Sequence, residues 1–171
     1  ILFAAFECHY VSSSKNIDDL YNELLLPYMR RSVSSRLSDI VTEIDYGLSE
    51  ISGVIDSQLN SVGMGNIKTH FCIPNNSVEN LLGGFEFHLS DPVVTEIHRK
   101  GMGIQSASML ASFVWIAQQE KKLSKTPIWL IEEPESYLHP ELAESCFQIL
   151  RNLSEISHVV VTTHSLGFVP K

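Results

Sequence analysis

Glu132 and Glu133 follow directly on the apolar run Ile128-Trp129-Leu130-Ile131 and are followed by Pro134. Four apolar residues without alternation predict a strand buried on both faces. Acids at the carboxyl end of such a strand stand where an open α/β sheet binds its ligands. A magnesium nucleotide site needs carboxylates there; a solvated acidic corner is the plain structural alternative, and these residues alone leave both open. A second segment has the same form. Residues 158–163, centred on Val159-Val160-Val161, predict another buried strand, which stops at Thr162-Thr163-His164-Ser165. A third candidate is Gly101-Met102-Gly103, ahead of a helical pattern. Free backbone N–H groups at a helix start can hold phosphate, although a Gly-x-Gly in this position is also ordinary turn chemistry.

Several elements must position these groups. Residues 141–153 predict a helix with Leu142, Cys146, Ile149, Leu150 and Leu153 on one face. Strand, helix and strand in that order make a parallel βαβ unit, so the two acids and His164 leave the sheet along one edge. Residues 107–123 predict a helix whose stripe is Met109, Leu110, Phe113, Val114, Ile116 and Ala117. Residues 1–6 read as a core strand. Asp18 and Asp19 open a helix through Leu26, with Pro27 as a kink or stop.

From Val33 the apolar residues Leu37, Ile40, Ile44, Leu48, Ile51, Ile55, Leu59 and Val62 recur at steps of three or four. That period predicts one straight amphipathic helix of roughly 45 Å, either an arm that meets a partner or a member of a helical bundle. Gly47 and Gly53 weaken it; Gly63, Gly65 and Asn66 end it. Residues 67–73, 85–89 and 93–97 predict strands, the last two a hairpin.

Composition narrows the class. With 44% hydrophobic and 19% charged residues the chain reads as a soluble globular domain. A net charge of -8 argues against coating nucleic acid by charge alone. Cys8, Cys72 and Cys146 lack metal-ligand spacing and read as reduced thiols of a cytoplasmic protein. His9, His70, His88, His98 and His158 show no such spacing either. No apolar run approaches the ~20 residues of a membrane span, and no signal segment opens the chain.

Taken together, the glycine turn, the strand ending in Glu-Glu, the Ser136-Tyr137-Leu138-His139-Pro140 turn and the strand ending in Thr-Thr-His-Ser resemble the C-terminal half of an ABC-type ATPase head. Within that group the chain is most similar to the OLD family and its RecF-like and SMC-like relatives. The resemblance covers Lys100 to Ser165. Its most specific parts are Leu130-Ile131-Glu132-Glu133-Pro134-Glu135, Leu138-His139-Pro140 and Val161-Thr162-Thr163-His164-Ser165.

The resemblance implies a set of roles. Glu132, in the Walker B strand, would hold the Mg2+ shell through water. Glu133 would polarise the water that attacks the γ-phosphate of ATP, and His164 would hydrogen-bond that phosphate as the switch histidine. Ser136 to Pro140 would form the D-loop at a dimer interface, with Ser136 and His139 near the nucleotide. Gly101 and Gly103, with Gln105 and Ser106, would form the signature loop, although Met102 stands where related signatures place a serine.

The fold expected is an α/β P-loop NTPase of ABC type, with a parallel sheet and a long helical insertion. Its parts would be a core strand and linker at 1–15, the insertion at 16–62 and the C-terminal part of the head at 63–171. No Gly-x-x-x-x-Gly-Lys-Ser/Thr loop occurs in the sequence, so the Walker A segment is expected upstream, in a longer protein. The implied function is ATP hydrolysis in a head-to-head homodimer, coupled to a nuclease or other effector in phage defence or DNA repair. DNA would enter by family analogy only, and no membrane is involved. Two other readings remain: a degenerate head that docks a partner through its long helix without hydrolysing ATP, and a metal-dependent nuclease built on Glu132, Glu133 and Glu135.

Overall fold

The structure, a computed structural model, describes residues 5–61, 66, 68–71, 73, 78–80, 82, 84–91, 93–136, 138 and 140–166; the side chains of 38, 39, 59, 80, 91, 140 and 141 are outside that description. Its elements in chain order are β1 (Phe6–Val11), α1 (Ile17–Leu20), α2 (Leu26–Ser34), α3 (Ser38–Ser61), β2 (His88–Asp91), β3 (Val93–Glu96), α4 (Met102–Lys122), β4 (Thr126–Glu132), α5 (Pro140–Ile156) and β5 (His158–Thr162). They fall into two compact units: Ile1–Tyr28 with Phe85–Lys171, and Met29–Gly84.

The first unit is built on a three-stranded sheet in the order β1-β4-β5. Both pairings are parallel, β1 with β4 from Phe6 opposite Thr126 to Val11 opposite Ile131, and β4 with β5 from Ile128 opposite His158 to Glu132 opposite Thr162. Successive strand residues point to opposite faces. On β4 it is Pro127, Trp129 and Ile131 that are buried. Trp129 is 0% exposed and stacks on Phe113 of α4, with ring centroids 4.6 Å apart and planes 20° from parallel. Met109, Ile116 and Ala117 of α4, with Cys146, Leu150 and Leu153 of α5, complete this core. Each large side chain buried in it stabilises the fold by about 1.5–3 kcal/mol. The α/β class with its parallel βαβ unit is the one the sequence predicts.

Several boundaries differ. The first strand occupies Phe6–Val11, not residues 1–6, of which 1–4 lie outside the described residues. The reason is that polar His9 and Tyr10 find partners far along the chain, so polarity does not end the strand. Pro27 does not stop its helix. A π-helical turn, Tyr21–Leu25, precedes it, and the N–H of Leu26 reaches back to the carbonyl of Tyr21. The helical hydrogen-bond ladder has already widened where Pro27, lacking an N–H, would break it. Helix α4 starts at Met102 rather than 107, with Gly101 as its extended N-cap residue.

The second unit departs most from expectation. The predicted 45 Å helix is broken at residues 35–37, leaving α3 with 24 residues and a length of about 36 Å. Serines cause the break. The Ser34 and Ser35 hydroxyls donate to the carbonyls of Arg31 and Ser32, and the N–H groups of Arg36 and Leu37 tighten to the carbonyls three residues back. Gly47 and Gly53 lie within α3 without interrupting it. Gly63 and Gly65, expected to end it, are outside the described residues. Among the described residues of 67–73 there is no strand. Thr69 directs its N–H to Asp56 Oδ1 at 2.7 Å and its hydroxyl to the Ser52 carbonyl at 3.2 Å, so its backbone donor serves α3 instead of a β-ladder. In the first unit the hairpin forms as β2 and β3, antiparallel from His88 opposite Glu96 to Asp91 opposite Val93, although its first strand begins three residues later than predicted.

Candidate functional site

Strands β4 and β5 run side by side and end together, and the site lies at those ends. Glu132 is the last residue of β4. Its Oε1 accepts from the Tyr10 hydroxyl at 2.6 Å, and its Oε2 accepts from the Ser13 backbone N–H at 3.3 Å and from the Ser13 hydroxyl at 3.5 Å. Tyr10 and Ser13 belong to β1 and the turn after it, so the neighbouring strand holds this carboxylate from the side. The Tyr10 hydrogen bond first, then the Ser13 N–H, hold its pKa below the usual carboxylate range, while the same contact raises that of Tyr10. With protein donors on both oxygens, Glu132 is suited to contact a hydrated cation through water.

Glu133 begins the turn. Its φ of 44° lies in the left-handed region, costly for a residue with a Cβ, and its N–H donates to the Thr162 carbonyl at 2.8 Å. That backbone turn aims its carboxylate away from the strand and across to β5. The Ser136 hydroxyl donates to Oε2 at 3.1 Å, and His164 Nε2 stands 3.2 Å from Oε1. Strain of this sort is found where surrounding structure fixes a functional group.

Glu135 ties the two strand exits together. One of its oxygens, Oε1, accepts from the Thr163 hydroxyl, from the His164 N–H at 2.8 Å and from the Ser165 N–H at 3.2 Å. Burial pushes the Glu135 pKa up, but hydrogen bonds from the Thr163 hydroxyl and from the N–H groups of Glu135 itself, His164 and Ser165 together outweigh it, and the net shift is downward. Glu132 therefore bonds back to β1 and the turn after it, while Glu133 and Glu135 both engage His164, one at the ring and one at the backbone N–H. Among the described residues no three His, Cys, Asp or Glu side chains converge as a ligand set for a metal ion.

Ser12, Ser13, Lys15, Ser106, Met109, Phe113, Glu132, Glu133 and Ser136 line a cleft at this edge that opens to solvent. Ser106 thus joins Glu132, Glu133 and Ser136. Gln105 is engaged elsewhere, since its amide donates to the carbonyls of Lys100 at 2.7 Å and His98 at 3.3 Å, fixing the start of α4. Gly101 is exposed at that helix start and Gly103 lies in the first turn of α4. His139 lies outside the described residues.

Tyr10, Ser13 and Glu120 have no local signal that marks them. Glu120 does carry a positional one. It lies seven residues after Phe113 and four after Ile116, on the apolar stripe of α4, where a carboxylate requires a buried partner. That partner is His9, with Nε2 2.6 Å from Glu120 Oε1, and the Tyr28 hydroxyl donates to the same oxygen.

Residues 9–169 match the family described as AAA ATPase domain. The chain belongs to this AAA ATPase domain family. It is also 30% identical over 170 residues to the Old nuclease of Escherichia phage P2, a match that covers 94% of this chain and 27% of that protein. The similarity supports the OLD and ABC-type assignment, and the chain spans about a quarter of the relative's length. In three dimensions this AAA ATPase domain is similar to the crystal structure of Stu0660 of Streptococcus thermophilus, with a TM-score of 0.63 at 8% identity, covering 96% of this chain and 49% of the other. At that identity the likeness concerns the P-loop NTPase-like fold alone. No helix among the described residues is long and apolar enough to cross a membrane.

Proposed function

We propose that this AAA ATPase domain binds and hydrolyses ATP with Mg2+ as part of a longer protein that supplies the Walker A loop and works as a head-to-head homodimer. Its conformational change is passed to a nuclease or other effector in phage defence or DNA repair, with DNA entering by family analogy only. The observation that carries the reading is the meeting of Glu133, Ser136 and His164 at the exits of adjacent parallel strands, beside a cleft.

Phosphoryl transfer to water depends on positioning and on stabilising charge, not on a covalent step by the protein. Glu133 accepts a hydrogen bond from the attacking water and draws its proton toward the carboxylate, oriented by Ser136 at Oε2. His164 can donate from Nε2 to an oxygen of the terminal phosphate, because its side chain is 88% exposed and needs little displacement. Mg2+, when bound, neutralises charge on the phosphate oxygens. Glu132, held at both oxygens by Tyr10 and Ser13, would orient the water shell of that ion. Ser106 also lines the cleft.

The test is steady-state ATP turnover by the full-length protein. The wild type should release phosphate only with Mg2+, and Glu133→Gln should lower kcat by about 100-fold or more, the scale of a lost general base. Equal rates in wild type and mutant would remove Glu133 from the mechanism. A second reading, a non-hydrolysing head that docks a partner through its long helix, is favoured by exposed Ile40, Tyr46, Ile51 and Val54 on α3. It predicts no Mg2+-dependent turnover in the wild type.

A further inference from the structure

His164 has an imidazole that is 88% exposed, so side-chain packing does not fix it in front of Glu133. A catalytic group must nevertheless be held to within about 0.5 Å of its working position. What fixes it is its backbone, and that backbone is anchored at one atom. Glu135 Oε1 receives the N–H of His164 at 2.8 Å, the N–H of Ser165 at 3.2 Å and the hydroxyl of Thr163. Thr163 in turn accepts the Ser165 N–H at its hydroxyl at 3.0 Å, closing the turn on itself. The other Glu135 oxygen, Oε2, is buried and has no hydrogen-bond partner among the described residues. Keeping a carboxylate half-satisfied in such a place is costly unless the bonds at the first oxygen are needed.

Glu135 reaches β5 from the turn that also presents Glu133. The two residues are joined by that turn, in which the Ser136 N–H donates to the Glu133 carbonyl at 2.9 Å. Glu133 itself is bound to the end of β5 through its N–H and the Thr162 carbonyl at 2.8 Å. One short turn therefore places the carboxylate that receives the water's proton and also holds the loop that carries the facing histidine. We infer that Glu135 is the positioning residue for His164: it sets the 3.2 Å distance between His164 Nε2 and Glu133 Oε1 through three hydrogen bonds to the turn after β5. The inference rests on the proposed ATP hydrolysis and adds a residue that touches neither water nor phosphate.

The experiment measures kcat, KM for ATP and melting temperature of the full-length protein for wild type, Glu133→Gln, Glu135→Ala, Glu135→Gln and Thr163→Val. Misplacement of a reacting group by an ångström costs up to about 100-fold, so Glu135→Ala should lose about 10- to 100-fold in kcat while KM changes less than about threefold. Glu135→Gln keeps an oxygen at the Oε1 position and should recover most of that loss. Thr163→Val removes one of the three donors and should fall between wild type and Glu135→Ala. Should Glu135→Ala fail to fold, Glu135→Gln and Thr163→Val still decide: wild-type kcat in Thr163→Val, or no activity in a well-folded Glu135→Gln, overturns the inference. Full kcat in a folded Glu135→Ala overturns it as well. Failure of the underlying reading looks different, since wild type would then lack Mg2+-dependent turnover or Glu133→Gln would match it.

Discussion

Of the glutamate–histidine pairs in the unit that carries the sheet, Glu120–His9 and Glu133–His164 differ sharply in their surroundings. Glu120 and His9 meet at 2.6 Å with side chains 0% and 8% exposed. His9 also lies against Trp129, ring centroids 4.3 Å apart, and Trp129 stacks on Phe113. Glu133 and His164 meet at 3.2 Å with side chains 37% and 88% exposed. The inner pair is enclosed by aromatic rings and gains the Tyr28 hydroxyl as a further donor. The outer pair is held by a backbone turn, a serine hydroxyl and a neighbouring carboxylate, with one side open to the cleft. The same two residue types thus sit in different settings: the inner pair joins α4 to β1, while the outer pair is open to solvent, as the proposed hydrolysis requires.

The largest effect expected from this contrast is on stability. Glu120→Ala strands the buried His9 against Trp129, and breaking such a buried pair costs about 3–5 kcal/mol. Urea unfolding of the full-length protein measures it; a loss under about 1 kcal/mol would mean that the inner pair is not holding the core. The corresponding change outside, Glu133→Gln, should leave the unfolding midpoint near that of wild type, because the exposed pair is screened by water.

A smaller effect distinguishes Glu132 from both pairs. Its pKa is lowered, mainly by the Tyr10 hydrogen bond. A carboxyl with a folded-state pKa below its unfolded value favours the fold above the unfolded pKa, and that contribution is lost as pH falls through the folded value. Tyr10→Phe removes the donor, so the Glu132 pKa should rise and the acid limb of the turnover profile should shift to higher pH. An acid limb that stays in place would show that Glu132 ionisation does not govern it.

The smallest effect lies away from both pairs. Gly53 is in the interior of α3, and an added Cβ meets nothing within 4 Å. Gly53→Ala should therefore stabilise the protein by about 0.5–1 kcal/mol, read as a higher urea midpoint, with turnover unchanged. A destabilised variant would show that a side chain at this position is not free in solution.

The outer pair was readable in the sequence because its residues follow continuous apolar runs, Ile128 to Ile131 and Val159 to Val161, whose ends predict a common sheet edge. The same runs made the parallel βαβ unit readable. The inner pair was not, since His9 and Glu120 are 111 residues apart and each looks polar where it stands. The same distance effect hid β1: its polar residues are satisfied by α4 and β4, and a local pattern cannot show that. The break at residues 35–37 was missed for a different reason. The three-to-four residue apolar period continues through it, while the serine hydroxyls that capture backbone carbonyls are silent in any hydrophobic pattern. Glu135 was visible as part of the motif, but its three donors from the far strand exit appear only in the fold.

Whether Glu133 and His164 act on one step is decided by a double-mutant cycle on ATP turnover by the full-length protein. Glu133→Gln and His164→Ala each remove one member, and groups that act as a unit are strongly non-additive. The double mutant should be no more than about threefold slower than the slower single mutant. A double mutant whose loss equals the product of the two single losses would contradict a shared step, because the two residues would then be working independently.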